Sequence, residues 1–82
     1  MAELSDLRNM VRAYFRYRND PTPEHRRKLE ELRFLGADEC PSCSEVLDLS
    51  RFRRVDREGR VREWITCASC GDVFELTDLP VH

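Results

Sequence analysis

Two short cysteine pairs constrain this 82-residue chain more than anything else in it: Cys40-Pro-Ser-Cys43 and Cys67-Ala-Ser-Cys70-Gly71, with 23 residues between them. A CxxC turn holds two thiolates on one side of a tight loop. Two such loops facing each other bring four sulfurs to about 2.3 Å from one ion. The expectation is a single tetrahedral metal site ligated by Cys40, Cys43, Cys67 and Cys70. Four thiolates leave no open position for water or substrate, so the metal is expected to be structural. One Zn²⁺ per chain suits this donor set, with iron (Fe) as the minor alternative. Redox chemistry at either CxxC would need a βαβ setting, for which the chain has no room.

Eighty-two residues make one small domain, or a domain with a helical arm, and domains of this size often need a metal staple. The net charge is −2, and four thiolates around a divalent ion take it to −4. Bulk charge therefore excludes a polybasic nucleic-acid binder. The cations are 13 Arg against one Lys, and Arg is the better residue for bidentate contact with carboxylate or phosphate. The run Met1-Ala-Glu-Leu-Ser-Asp-Leu-Arg8 lacks the apolar stretch of a secretion signal. No segment approaches the ~18 apolar residues of a membrane span. A cytoplasmic, reducing setting is expected, where paired CxxC motifs hold metal rather than form disulfides.

Residues 3–18 carry Leu4, Leu7, Val11 and Tyr14 in steps of three and four, with Met10, Phe15 and Tyr17 beside them, which predicts an amphipathic helix. Asn19-Asp20-Pro21 ends it. Thr22 before Pro23 reads as the cap of a second helix running to about Leu35, with Leu29, Leu32 and Leu35 on one side and Gly36 as its stop. Residues 1–38 thus form a helical hairpin arm, joined through Ala37-Asp38-Glu39 to a Cys₄ module over residues 39–82.

Between the cysteine pairs the pattern becomes strand-like over residues 46–55 and 60–66, around Asp56-Arg57-Glu58-Gly59. That tetrapeptide reads as a type I turn whose last residue is left-handed. It predicts a register in which Val55 faces Val61, Arg53 faces Glu63, Phe52 faces Trp64 and Ser50 faces Thr66. Residues 73–76 add a third short strand. The fold class expected is small α+β and metal-stabilised: a helical hairpin, then a three-stranded antiparallel sheet.

The CPSC and CASCG loops around a hairpin resemble the zinc ribbon, over about residues 39–77. Rubredoxins share the two-loop plan but carry proline in the second knuckle and a dense aromatic core, whereas here Pro41 lies in the first knuckle and aromatics are 9% of the chain. The helical hairpin before a zinc module also resembles small regulators of the bacterial RNA-polymerase secondary channel. Those carry acidic residues at the coiled-coil tip, and this tip, Arg18-Asn19-Asp20-Pro21, has one. Arg62-Glu63-Trp64 before the CASCG knuckle, followed by an acidic, proline-containing tail, is similar to the small zinc subunit of acetone-type carboxylases. Zinc ribbons serve many assemblies, so the resemblance implies a fold more than a function.

Arg51 to Arg62 contain six Arg against Asp56 and Glu58, a local balance of +4, with Phe52 and Trp64 among them. Arg51, Phe52, Arg53, Arg54, Arg60, Arg62 and Trp64 are the candidate contact surface. Arg and Trp are favoured anchors on an acidic protein surface, and the same mixture can grip phosphates and stack on bases. A solvated hairpin offsetting the charge of the metal centre is the plain alternative. The Tyr14-Phe15-Arg16-Tyr17-Arg18 cluster reads as packing, and His25 and His82 have no spacing that joins them to the cysteines. No Ser/His/Asp set, carboxylate pair or glycine-rich phosphate loop is visible. The expected function is non-enzymatic: an accessory or adaptor module docking on a larger protein or complex, with no membrane and no small-molecule substrate. A nucleic-acid-binding ribbon and a structural subunit of a metabolic enzyme are the competing expectations.

Overall fold

A computed structural model describes residues 4–77. Helix α1 spans Leu4–Asn19 and α2 spans Pro23–Phe34. A 3₁₀ turn at Leu49–Arg51 follows, then strands β1 (Arg53–Arg57), β2 (Arg60–Thr66) and β3 (Val73–Glu75) in an antiparallel sheet of order β1-β2-β3. The expected α+β plan of two helices and a three-stranded sheet is what the chain adopts. His82 lies outside the described residues.

The two helices are tied by their caps. Thr22 is extended (φ −88°, ψ 158°) and accepts the His25 backbone N–H at 3.2 Å, with Pro23 beginning the helix. The half-buried His25 ring donates from Nδ1 to the Asp20 carbonyl at 2.7 Å and so fastens the turn between helices. At the far end Gly36 N–H reaches Arg33 O and Ala37 N–H reaches Leu32 O, both at 3.0 Å, the paired bonds of a Schellman ending. That ending turns Leu35 outward. Leu29 is buried and Leu32 half-buried, but Leu35 is 74% exposed, so the expected leucine stripe is one residue shorter than the sequence suggests.

One apolar cluster joins arm and sheet: Leu7, Met10, Val11 and Leu29 from the helices meet Leu47, Leu49, Ile65 and Leu76. Phe15 of α1 lies 5.5 Å from Phe52, just before β1. Tyr14, Phe15 and Tyr17 pack against the cluster, as expected. Burying side chains such as Leu7 and Ile65, both fully inaccessible, contributes about 1.5–3 kcal/mol each.

The sheet departs from the sequence-derived pairing in two places. Residues 46–52 are not a strand. Asp48 Oδ1 accepts the Ser50 N–H at 3.0 Å and its hydroxyl at 2.6 Å, and this local cap winds the chain into the 3₁₀ turn. The register also slips by one: Arg53 pairs with Trp64, Arg54 with Glu63, Val55 with Arg62, Asp56 with Val61 and Arg57 with Arg60. Glu58 (φ 53°) and Gly59 (φ 78°) are both left-handed and form a two-residue type I′ turn, whose twist matches that of paired strands. A slip of one exchanges faces. Phe52 therefore meets Phe15 rather than Trp64, and Val55 is separated from Val61.

Candidate metal centre and the arginine surfaces

The two CxxC loops are built alike. In the first, Cys40 N–H bonds Glu45 O (2.7 Å) and Ser44 N–H bonds Cys40 O (2.9 Å). In the second, Cys67 N–H bonds Asp72 O and Gly71 N–H bonds Cys67 O, both at 2.9 Å. The residue after each second cysteine is left-handed: Ser44 at φ 66° and Gly71 at φ 79°. An isolated bridge between Glu39 and Val46 clamps the first loop, and the Thr66–Val73 pair of β2 and β3 clamps the second.

These loops bring all four sulfurs within 4.8 Å of one another. Cys40 Sγ lies 3.7 Å from Cys70 Sγ, and Cys43 Sγ lies 3.7 Å from Cys67 Sγ. A tetrahedron of sulfurs at about 2.3 Å from a central ion has edges of about 3.8 Å. The cluster therefore has the donor set and the spacing to hold one tetrahedral ion. Cys40 and Cys67 are buried in the core, Cys43 is half-buried and Cys70 exposed. All four cysteine sulfurs belong to the cluster, and no His, Asp or Glu joins it among the described residues.

Backbone dipoles prepare the site for negative charge. Ser42 N–H points at Cys40 Sγ at 3.4 Å. The Cys70 N–H, against the desolvation of the site and helped by the Ser69 N–H, lowers the Cys67 thiol to about 7. At Cys43 the Glu45 N–H also lowers the pKa, but desolvation and three sulfur neighbours outweigh it and push the thiol up to about 12. Cys70 is raised by desolvation and by Cys67 and Cys40, against the Asp72 N–H. Without a cation the cluster resists carrying more than its first charges. A divalent ion removes that repulsion, which couples metal uptake to proton release.

The candidate contact residues divide between the two faces of the sheet. Cross-strand partners share a face, so Arg53, Val55, Arg57, Arg60, Arg62 and Trp64 lie together, next to Glu75 of β3. Arg54 lies on the opposite face with Asp56, Glu63 and the buried Ile65. Arg51 is exposed on the 3₁₀ turn, and Phe52 is half-buried against α1. Arg53 donates to the carbonyls of Ser50 (3.0 Å) and Phe52 (2.9 Å), which ties the end of that turn. Arg62 reaches Glu75 at 3.1 Å and lies 5.5 Å over the Trp64 ring. Arg54 pairs with Glu63 at 3.7 Å, in place of the expected Arg53–Glu63 pair.

Arg57 directly opposes Arg60, and like charges in that position destabilise a hairpin. Arg57 was legible as one more cation of the run; its face was not, because the face follows from the register. Arg8, Arg12 and Arg16 were missed as a set. Their spacing of four places them along one side of α1, and the structure brings them to the Arg54 face of the sheet. Comparison with protein-family models, curated proteins and solved structures gives no match to this chain.

Proposed function

We propose that the chain is a zinc-ribbon module: a small, non-enzymatic accessory protein that holds one structural Zn²⁺ and docks on a larger protein assembly. The observation that carries the reading is the composition of one sheet face. Four arginines surround Trp64 and Val55 there, with Glu75 as the only carboxylate on that face among the described residues. The Arg57–Arg60 opposition costs stability in isolation and becomes favourable once an anionic group sits between them. Arg and Trp are the residue types that dominate protein interfaces. The closed set of four thiolates supports a structural metal, since all the coordination positions are filled by protein.

The same arginines and Trp64 would also suit phosphates and a stacked base, so nucleic acid is the second reading. Affinity capture on the zinc-loaded chain from its native host, with and without nuclease, separates the two. The adaptor reading expects a nuclease-resistant protein assembly that is lost with Arg57→Ser plus Arg60→Ser. Recovery of nucleic acid with a steep salt dependence would replace it. Unchanged capture by the double variant would remove this face as the interface.

A further inference from the structure

A second cationic surface lies on the other side of the sheet. Between α1 and β1 there is a cleft of about 380 Å³ with Arg8, Arg12, Arg16 and Arg54 along its walls and half-buried Phe15 and Phe52 among the residues lining it. Among the described residues, no ion pair engages Arg12 or Arg16. Arg54 is held toward Glu63, the one carboxylate in the lining.

We infer that this cleft binds a short, extended acidic segment of the partner protein, with carboxylates at alternate residues and an apolar side chain placed on Phe15 and Phe52. The inference rests on the adaptor reading above and adds a second point of attachment to it. The spacing carries the argument. Arginines four apart on a helix repeat about every 6 Å. Alternate side chains of an extended peptide repeat about every 6.6 Å on one face. A strand laid along α1 therefore presents carboxylates at the pitch of Arg12 and Arg16, and Arg binds carboxylate in a bidentate fork.

The apolar contact gives the site a preference that charge alone lacks. A polyphosphate fits less well, because it has no apolar side chain to place on Phe15 and Phe52.

The test uses the full zinc-loaded chain and a labelled peptide with glutamates at three alternate positions followed by phenylalanine, read by fluorescence anisotropy. Tight binding of this peptide over a permuted one with contiguous glutamates is expected. Arg12→Gln with Arg16→Gln should weaken it about ten-fold or more. Both residues are exposed and glutamine is a good helix former, so zinc content and circular dichroism should be unchanged. The reversed pair, Arg12→Glu with Arg16→Glu, should lose the acidic peptide and gain a lysine counterpart.

Equal affinity of the Gln variant for the peptide, or tighter binding of a single-stranded oligonucleotide, would overturn the inference. Arg57→Ser with Arg60→Ser on the opposite face should leave peptide affinity intact. A native partner captured through Arg57 and Arg60 but indifferent to Arg12 and Arg16 would refute the cleft while leaving the adaptor reading standing. Peptide binding with no captured assembly would do the reverse.

Discussion

Ser44 and Gly71 occupy the same position in two loops with the same hydrogen bonds, and both are left-handed, at φ 66° and 79°. Only one of them is glycine. A side chain in that region costs roughly 1–2 kcal/mol, because its Cβ crowds the following carbonyl. Ser44→Gly removes the strain but adds about 0.5–1 kcal/mol of unfolded-chain entropy. The Ser44 side chain is exposed, so the substitution forfeits little packing. The expected net gain is about 0.5–1 kcal/mol, or a rise in Tm of about 2–8 °C for a domain of this size. Gly71→Ala is the mirror experiment. A Cβ there meets nothing within 4 Å, so its cost is conformational alone, about 1 kcal/mol. Thermal melts of the zinc-loaded proteins, with competition against a chromophoric chelator, read both changes. Ser44→Gly that lowers Tm or loosens the metal would refute the equivalence of the two loops, and with it the strain argument.

Replacing any one of Cys40, Cys43, Cys67 or Cys70 with serine should reduce metal content severely and to a similar extent, measured by elemental analysis, since a closed four-thiolate site has no spare ligand. Chelation should abolish the sheet signal while some helix persists, because metal binding of about 10–16 kcal/mol equals or exceeds the whole stability of a small domain. Ile65→Ala, at a fully buried position linking sheet and helices, should cost about 2–5 kcal/mol in urea melts with zinc in excess. The Thr77 hydroxyl and Arg62 hold Glu75 below its ordinary value of 4.5. Its contribution to stability is thus full above that value and disappears as pH falls through the lowered one. The difference between wild type and Glu75→Gln should narrow over that acid range and stay constant above it.

The four-cysteine cluster was legible because two CxxC pairs leave few geometric choices, and the helix ends because Thr22-Pro23 and Gly36 act through local backbone bonds. The hairpin register was not. Asp56 and Gly59 suggest one turn, but the turn that forms needs Glu58 in a conformation its residue type does not advertise. Phe52 likewise looked like a strand partner of Trp64; the Asp48–Ser50 cap and the packing demand of Phe15 remove it from the strand. The arginines at positions 8, 12 and 16 show a helical period, yet what they face depends on where the sheet docks, which no local pattern encodes.

Strand β1 is an outer strand of the sheet, and all five of its residues are exposed. An outer strand offers unpaired backbone groups that any similar strand can extend. Arg53, Arg54 and Arg57 run along this one, so a second copy approaching edge to edge brings guanidinium against guanidinium. Those charges thus hold the chain back from joining itself into longer sheets. Neutralising them to test the proposed interface also removes that guard. Serine is for that reason the safer replacement, and a β-branched apolar one invites fibre growth that would pass for loss of binding.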